Sequence, residues 1–334
     1  MIEIDGSYLE GGGQILRTAI ALSAATGKPC RVFNIRKGRP EPGLKAQHLK
    51  AIEAIARISN GELKGNYIGS EEVEFHPGEI RGGSYKIHVG TAGSVSLVLQ
   101  AILPTIVTSG KSFKLEITGG TNVKWSPSIQ YVKHVFCNFL DRMGVDIRID
   151  VCRYGFYPRG GGKIKVRIFP VERLKPLEIV ERGEFQRIDV WSISSDKLKK
   201  KKVAERQVNG FSEFFDARHT HVVYVDTLSP GSSIHAHVHF ENTKIGACAL
   251  GEPGTAAEEV GRRCALDLKR ELESNACLDK WMADQILPYM ALAGGGKITV
   301  SEVTNHCKTN IWVIEKFLPV KFKIEGNTIS CEKE

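Results

Sequence analysis

The chain predicts a mixed α/β (α+β) fold of small sheets covered by helices. One observation is that an apolar helix, a short strand, a turn and a second helix recur three times along the 334 residues. Another is that strand-like runs alternate with helix-like runs rather than clustering apart. The third is that residues 180–275 break the rhythm between the second and third passes. These residues are read as a smaller inserted domain, with 1–179 and 276–334 forming the three-repeat domain, because insertion is tolerated where few contacts are disturbed.

The first pass predicts a helix over Ile15–Thr26, a strand over Cys30–Ile35, a turn from Arg36 to Gly43 and a second helix over Leu44–Ser59. Leu49, Ile52, Ile55 and Ile58 fall on one face at helical spacing. In the second pass a helix over Gly93–Thr108 precedes a strand over Phe113–Thr118. A turn from Gly119 to Pro127, a helix over Ile129–Met143 and a closing strand over Val145–Val151 follow. The third pass places a helix at Leu278–Ala293, a strand at Lys297–Val303 and a turn at Thr304–Lys308. It ends with a helix over Thr309–Phe317 and a strand over Val320–Ile324. Strands are assigned from short apolar or alternating runs that end at Gly or Pro. The repeat puts Arg36 and Arg39, Thr121 and Asn122, and His306 at equivalent strand ends, and ligands tend to bind beyond such ends. A three-sided cleft is the expectation. Within residues 180–275, Ala256–Glu273 reads as a helix and the run Lys199–Lys202 as a solvated loop.

A net charge of +8 points weakly to an anionic partner. The sequence holds no run of roughly 20 apolar residues of the kind a bilayer span needs, and the opening Met-Ile-Glu-Ile-Asp has no signal-peptide pattern. The eight Cys, at 30, 137, 152, 248, 264, 277, 307 and 331, form no Cys-x-x-Cys pair, which argues against a zinc ribbon. Free thiols in a reducing cytoplasm are the expected state.

Several segments could carry chemistry. The run Glu10-Gly-Gly-Gly-Gln-Ile-Leu-Arg17 joins a strand to a helix, where glycine backbone N–H groups can face a phosphate. It is not a Walker loop, since no Gly-Lys-Ser/Thr follows; a plain tight turn is the alternative. Glu10 could hold a divalent cation and Arg17 a phosphate. Ser94 opens an apolar helix as an N-cap or phosphate contact, and Gln100 within it needs a hydrogen-bonding partner. Arg36 and Arg39 share a tight turn and require an anion between them, RNA phosphate or Glu41. His306 offers a nucleophilic imidazole, although a lone His in a turn is more often a surface residue. His235, His237 and His239 alternate along a strand, a spacing that can bind metal; a solvent-facing strand is the preferred reading.

Together these segments resemble the RNA 3′-terminal phosphate cyclase family. The resemblance spans nearly the whole chain. It is carried by Asp5-Gly6, Glu10 to Arg17, Ile35-Arg-x-Gly-Arg39 with Pro42-Gly-Leu44, Gln47-His48, Gly93-Ser94 with Leu97 to Gln100, Gly119-Gly-Thr121 and Gly155 to Gly162. It continues through Ala283-Asp-Gln285, Ala291 to Gly294 and His306-x-x-Thr-Asn310, closing at Ile314 to Leu318. The resemblance implies three repeated βαβαβ-type units like the C-terminal domain of translation initiation factor 3, interrupted by a smaller inserted domain. It implies a ligase-type reaction in which ATP adenylylates a histidine, AMP passes to an RNA 3′-phosphate, and the adjacent 2′-hydroxyl closes a 2′,3′-cyclic phosphodiester. By position, His306 is then the nucleophile and Glu10 a ligand of Mg²⁺ or Mn²⁺. Arg17, Gln100, Pro127, Trp281, Asp284 and Gln285 hold ATP, and Arg36, Arg39 and Gln47 contact RNA or phosphate. Trp281 stands where the family often has Tyr, which keeps the stacking surface and removes a hydroxyl. The expected partners are ATP and RNA with a 3′-terminal phosphate, in the cytoplasm and away from membranes, with a homodimer left open. A non-catalytic relative acting as a ribosome-assembly binding protein is the alternative, disfavoured by the presence of His306 and Glu10. An enolpyruvyl transferase, also built from repeated α/β units, is a further one and needs no nucleophilic His.

Overall fold

A computed structural model describes residues 1–9, 11–90 and 92–334. Each repeat is a βαβαββ unit. The first runs β1 (Ile2–Asp5), α1 (Gly13–Thr26), β2 (Cys30–Phe33), α2 (Ala46–Ile58), β3 (Glu62–Lys64) and β4 (Val73–His76). The second runs β5 (Gly83–His88), α3 (Val95–Val107), β6 (Phe113–Gly119), α4 (Ile129–Tyr131), a π turn (Val132–Phe136), α5 (Cys137–Arg142), β7 (Ile147–Arg153) and β8 (Gly162–Ile168). The third opens with β9 (Leu177–Ile179). The chain then leaves through β10 (Phe185–Ser195), a 3-10 turn (Asp196–Lys201), α6 (Val203–Ser212), β11 (His219–Val225), β12 (Ser232–Phe240), β13 (Lys244–Leu250) and α7 (Ala257–Glu273). It returns with α8 (Lys280–Ala293), β14 (Gly295–Thr299), α9 (Asn305–Phe317), β15 (Val320–Glu325) and β16 (Thr328–Lys333).

The three repeat sheets have one topology, β1-β2-β4-β3, β5-β6-β8-β7 and β9-β14-β16-β15. In each, the first two strands are parallel across a helical crossover and the closing hairpin adds antiparallel. The closing hairpins exceed the sequence expectation, which had one closing strand in the second and third passes and none in the first. Their extra strands, such as Glu62–Lys64, are short and polar at alternate positions, so periodicity alone reads them weakly. A second difference matters for the site. The third-pass helix begins at Asn305, not Thr309, because Thr304 is its N-cap and accepts a hydrogen bond from the Cys307 backbone N–H at 3.2 Å. His306 therefore sits in the first turn of α9 rather than in the loop before it.

One apolar core runs through all three units, from Ile4 and Leu16 through Leu99 and Phe136 to Ile286 and Ile329. The stretch from β10 to α7 forms its own sheet, ordered β11-β10-β12-β13. Its own core lies under α6 and α7, built from Val190, Phe211, Ile234, Ala236, Val238, Val260 and Leu268. Arg182 ties together the two ends of this insertion. Its guanidinium donates to the carbonyls of Ala276 (2.6 Å), Leu272 (2.7 Å) and Glu271 (2.9 Å), capping the C-terminus of α7.

The opposite face of β12 carries His235, His237 and His239. The expectation that these face solvent is overturned: they are 1, 1 and 8 % exposed. The second repeat covers them. The π turn sets the His134 ring nearly parallel to that of His237, centroids 5.2 Å apart. Gly246 on β13 permits the approach, since a Cβ there would meet Tyr131 and Val135. Lys199–Lys202 is exposed, as expected of a solvated segment. No described helix is long and apolar enough to cross a membrane.

Replacing Arg182 with Ala strips three carbonyls of their donor. We expect a loss of about 2–4 kcal/mol, visible as a lower denaturant midpoint.

Candidate active site

The opening helices of the three units, α1, α3 and α8, are buried on most of their circumference. On α3 the positions that escape full burial are Leu97 and Gln100. On α8 they include Trp281, Asp284 and Gln285, and on α1 they include Gly13, Gln14, Arg17 and Thr18. The residues of each set lie three or four apart, so each forms one short exposed stripe, bearing at least one amide, on an otherwise buried helix. All three stripes line a single cleft of ≈ 1110 Å³. The second helix of each unit reaches the same space through Gln47 and His48 of α2 with Lys45 as its N-cap, Tyr131 of α4 with Pro127 just before it, and His306 and Asn310 on α9. Residues from the first turns of α1, α2 and α9 (Gly13 and Gln14, Gln47 and His48, and His306) thus meet in one space.

Of the site residues expected from the sequence, Arg17, Arg36, Arg39, Gln47, Gln100, Pro127, Trp281, Asp284, Gln285 and His306 all line this cleft. Glu10 lies outside the described residues. Thr121 and Asn122 do not line the cleft, which corrects the expected equivalence of the three strand ends. Both are buried, and the Asn122 amide donates to Gln130 Oε1 (3.0 Å) and Ser233 Oγ (2.7 Å) on β12. The first part of the second unit's turn anchors the inserted sheet, while Val123 to Pro127 of the same turn line the cleft. Gly246 and Cys248 of that sheet and Glu252 just beyond it supply a fourth wall.

Contacts between helices fix the polar stripes. Gln14 Nε2 donates to Asp284 Oδ2 at 2.9 Å and lies 3.5 Å from the His306 carbonyl. Pro288 cannot donate to the carbonyl of Asp284 four residues earlier. The Asn310 amide takes that place at 2.8 Å, while its Oδ1 accepts from Thr18 at 2.9 Å. Gln100 donates to Gln285, whose own amide donates to the Trp281 carbonyl at 2.6 Å. Gln47 Oε1 accepts from Ser94 N at 3.0 Å, and Ser94 Oγ caps α3 by accepting from Leu97 N at 3.2 Å. Gln14 and Asn310 lay inside quoted motifs without an assigned role. A polar residue one helical turn from another on an apolar helix is the signal that finds them.

Arg36 has a left-handed backbone, φ 57°, and its guanidinium donates to the carbonyls of Glu41 (2.7 Å) and Gly43 (3.1 Å). Part of its donor set holds its own turn. The Glu41 carboxylate pairs with Lys45 rather than bridging the arginines. Arg39 is exposed at the rim. Trp281 is 53 % exposed and lines the cleft, with Lys280 Nζ over its ring 5.0 Å from the centroid.

Burial governs the charges. It pushes the Asp284 carboxyl up to about 7, with the Arg17 guanidinium and Gln14 amide pulling it partly back. Burial also lowers Arg17 to about 10, which leaves it cationic at neutral pH. His48 is lowered to about 3 by burial, with Arg17, Arg36 and Lys45 adding repulsion, so it is neutral. Its Nδ1 accepts from the Lys45 backbone N–H at 3.3 Å. Asp279 caps α8, accepting from Trp281 N and Met282 N. It also accepts from Tyr131 Oη (2.6 Å) and Gly246 N (3.0 Å), joining the second unit, the third unit and the insertion at the cleft wall.

Two predictions follow from this geometry. A Cβ at Gly13 would run into the His48 ring. Gly13→Ala is therefore expected to shift His48 against the cleft floor and weaken ligand binding at least tenfold, measured by calorimetry, with the fold retained in far-UV CD. Asp284 is protonated in the folded chain and ionised in the unfolded chain between its ordinary 3.8 and about 7. The native state binds the extra proton, so stability falls as pH rises through that window. Asp284→Asn should remove this part of the decline, so its stability relative to the parent chain rises from pH 4 to pH 7.5 in denaturant titrations.

The sequence pattern of the family described as RNA 3′-terminal phosphate cyclase matches residues 8–324. A protein of that name from Methanopyrus kandleri is 45 % identical, over 98 % of this chain and 96 % of its own length. One from Thermococcus kodakarensis is 44 % identical, over 97 % of this chain and 95 % of its own. One from Methanococcoides burtonii is 46 % identical, over 97 % of each. With the match continuous across the repeats, the insertion and every helix that borders the cleft, the chain belongs to the RNA 3′-terminal phosphate cyclase family.

Proposed function

We propose that the chain is an ATP-dependent RNA 3′-terminal phosphate cyclase that works through a covalent histidine–AMP intermediate. The observation that carries this reading is the placement of His306, in the first turn of α9, in one cleft with Arg17, Arg36, Arg39 and the exposed Trp281. A nucleophile, phosphate-binding cations and a stacking surface share one space of a size that admits a nucleotide.

In this reading Trp281 stacks on adenine, with Pro127 on the same pocket lining, and Gln100, Asp284 and Gln285 hold the nucleotide. Arg17 faces its phosphates. The His306 imidazole attacks the α-phosphorus, a phosphorus–nitrogen bond forms and pyrophosphate leaves. A 3′-phosphate oxygen of RNA then displaces the imidazole and takes the AMP. The neighbouring 2′-hydroxyl attacks the activated 3′-phosphorus, loses its proton and expels AMP, leaving the 2′,3′-cyclic phosphodiester. The last step is intramolecular, so positioning supplies much of its rate, while fixed donors stabilise the charge that develops on phosphorus. Arg36, Arg39 and Gln47 line the side toward which RNA phosphate is assigned. Glu10 is expected to hold Mg²⁺ or Mn²⁺, which would neutralise triphosphate charge.

Incubation with ATP labelled at the α-phosphate, followed by denaturing electrophoresis, tests the reading. Acid-labile label should appear on the protein and be lost in His306→Ala. Absence of label with both Mg²⁺ and Mn²⁺ would instead favour a binding role for this chain. RNA ending in a 2′-deoxy-3′-phosphate should accept AMP and stall there, since the closing nucleophile is missing. Trp281→Ala removes the stacking surface and should raise KM for ATP roughly tenfold, equal to about 1.4 kcal/mol, with a smaller effect on kcat.

A further inference from the structure

The inserted sheet carries a donor cluster that the reaction above does not use. On the face of β10 and β12 turned toward the second repeat, Asp189 stands directly across from His237, and Arg187 across from His239. His239 Nε2 lies 2.7 Å from Asp189 Oδ2 and His237 Nε2 lies 3.6 Å from the same oxygen. The three donor atoms all fall within 4.8 Å of one another. Two imidazoles at i and i+2 on one strand and a carboxylate on its neighbour form a tripod whose apex is shared.

We propose that Asp189, His237 and His239 bind one divalent transition ion of the zinc type, at a site separate from the cleft. The donor chemistry fits: imidazole nitrogen and carboxylate oxygen are ordinary zinc ligands, with bonds of about 2.0–2.2 Å. A tetrahedral ion with such bonds sets its ligands about 3.3 Å apart. The two separations from Asp189 Oδ2, 2.7 and 3.6 Å, bracket that value, and the two imidazole donors lie within 4.8 Å of each other. The second layer fits as well. His237 Nδ1 lies 3.1 Å from His235 Nε2, a hydrogen bond that orients the ring and leaves Nε2 for the metal. His134 stacks on His237 from the π turn, and π turns often mark functional positions. Asp189 retains partial exposure, which leaves an entry path.

The surroundings also limit the site. Arg187 Nε lies 3.2 Å from Asp189 Oδ1 and 3.4 Å from Oδ2, and Lys244 lies opposite His239 on β13. Two cations at the rim permit a single ion and temper its affinity. The row of imidazoles then leads inward: His235 meets Tyr131 edge-on at 6.1 Å, and Tyr131 lines the cleft and bonds Asp279. An ion at the outer end would stiffen the face by which the insertion docks on the second repeat.

The test uses the full-length chain without a polyhistidine tag, stripped of metal by chelator dialysis. Titration with Zn²⁺ against a chromophoric chelator should give one equivalent bound at micromolar affinity or tighter, and a higher thermal midpoint. Co²⁺ should give the visible absorption of a tetrahedral nitrogen–oxygen site. Asp189→Asn and His239→Gln, close in volume to the parent residues, should each weaken Zn²⁺ binding at least tenfold while far-UV CD is unchanged. No stoichiometric uptake by the parent chain overturns the proposal, whatever the variants do. Equal uptake by parent and folded variants overturns it too, because the ion then sits on other donors.

Discussion

The constraint on which the rest depends is that three helices packed nearly all round each leave one short stripe bearing a polar side chain exposed, and that the stripes must meet. A helix buried on all sides cannot carry an arginine, a carboxylate and two amides without partners. Here the amides find partners across units, Gln14 on Asp284, Gln100 on Gln285 and Asn310 on Thr18, while Asn310 also takes up the carbonyl freed by Pro288 within its own unit. The cleft is therefore the place where the polar obligations of the core are settled. Its shape follows from the same packing that holds the repeats together.

The apolar periodicity of the repeats made the helices readable, and the order of the family motifs named the residues around the cleft. What the sequence could not convey depended on long-range partners. The early start of α9 turns on Thr304 capping, a choice between loop and helix that local propensity leaves nearly balanced. The short strand Glu62–Lys64 exists because Val73–His76 is there to pair with it. The histidines of β12 alternate like a half-exposed strand, yet both faces of that sheet are covered, one by α6 and α7 and the other by the second repeat. Alternation states which residues share a face and is silent on what lies against it.

Asp279 shows how local and distant demands combine. The sequence expectation places it inside the helix Leu278–Ala293, whereas in the fold it is the N-cap before Lys280. In the fold the same carboxylate also receives the Tyr131 hydroxyl and the Gly246 amide, and burial raises its pKa to about 6. One side chain thus holds the start of the helix that bears Trp281, Asp284 and Gln285 against the wall contributed by the insertion. Movement of that wall relative to α8 would leave a buried carboxylate without donors, a costly state.

The turn that follows β6 has a wider consequence. Its counterparts in the other two copies lead to guanidinium groups and to an imidazole, whereas here a buried amide clasps a serine on a foreign sheet. A threefold frame thus carries three different turns, and the second copy's turn is split between mounting the insertion through Asn122 and lining the cleft from Val123 to Pro127. Swapping these turns between copies would preserve the scaffold's outline and dismantle its purpose, because the likeness of the units is a property of backbone and their usefulness a property of difference.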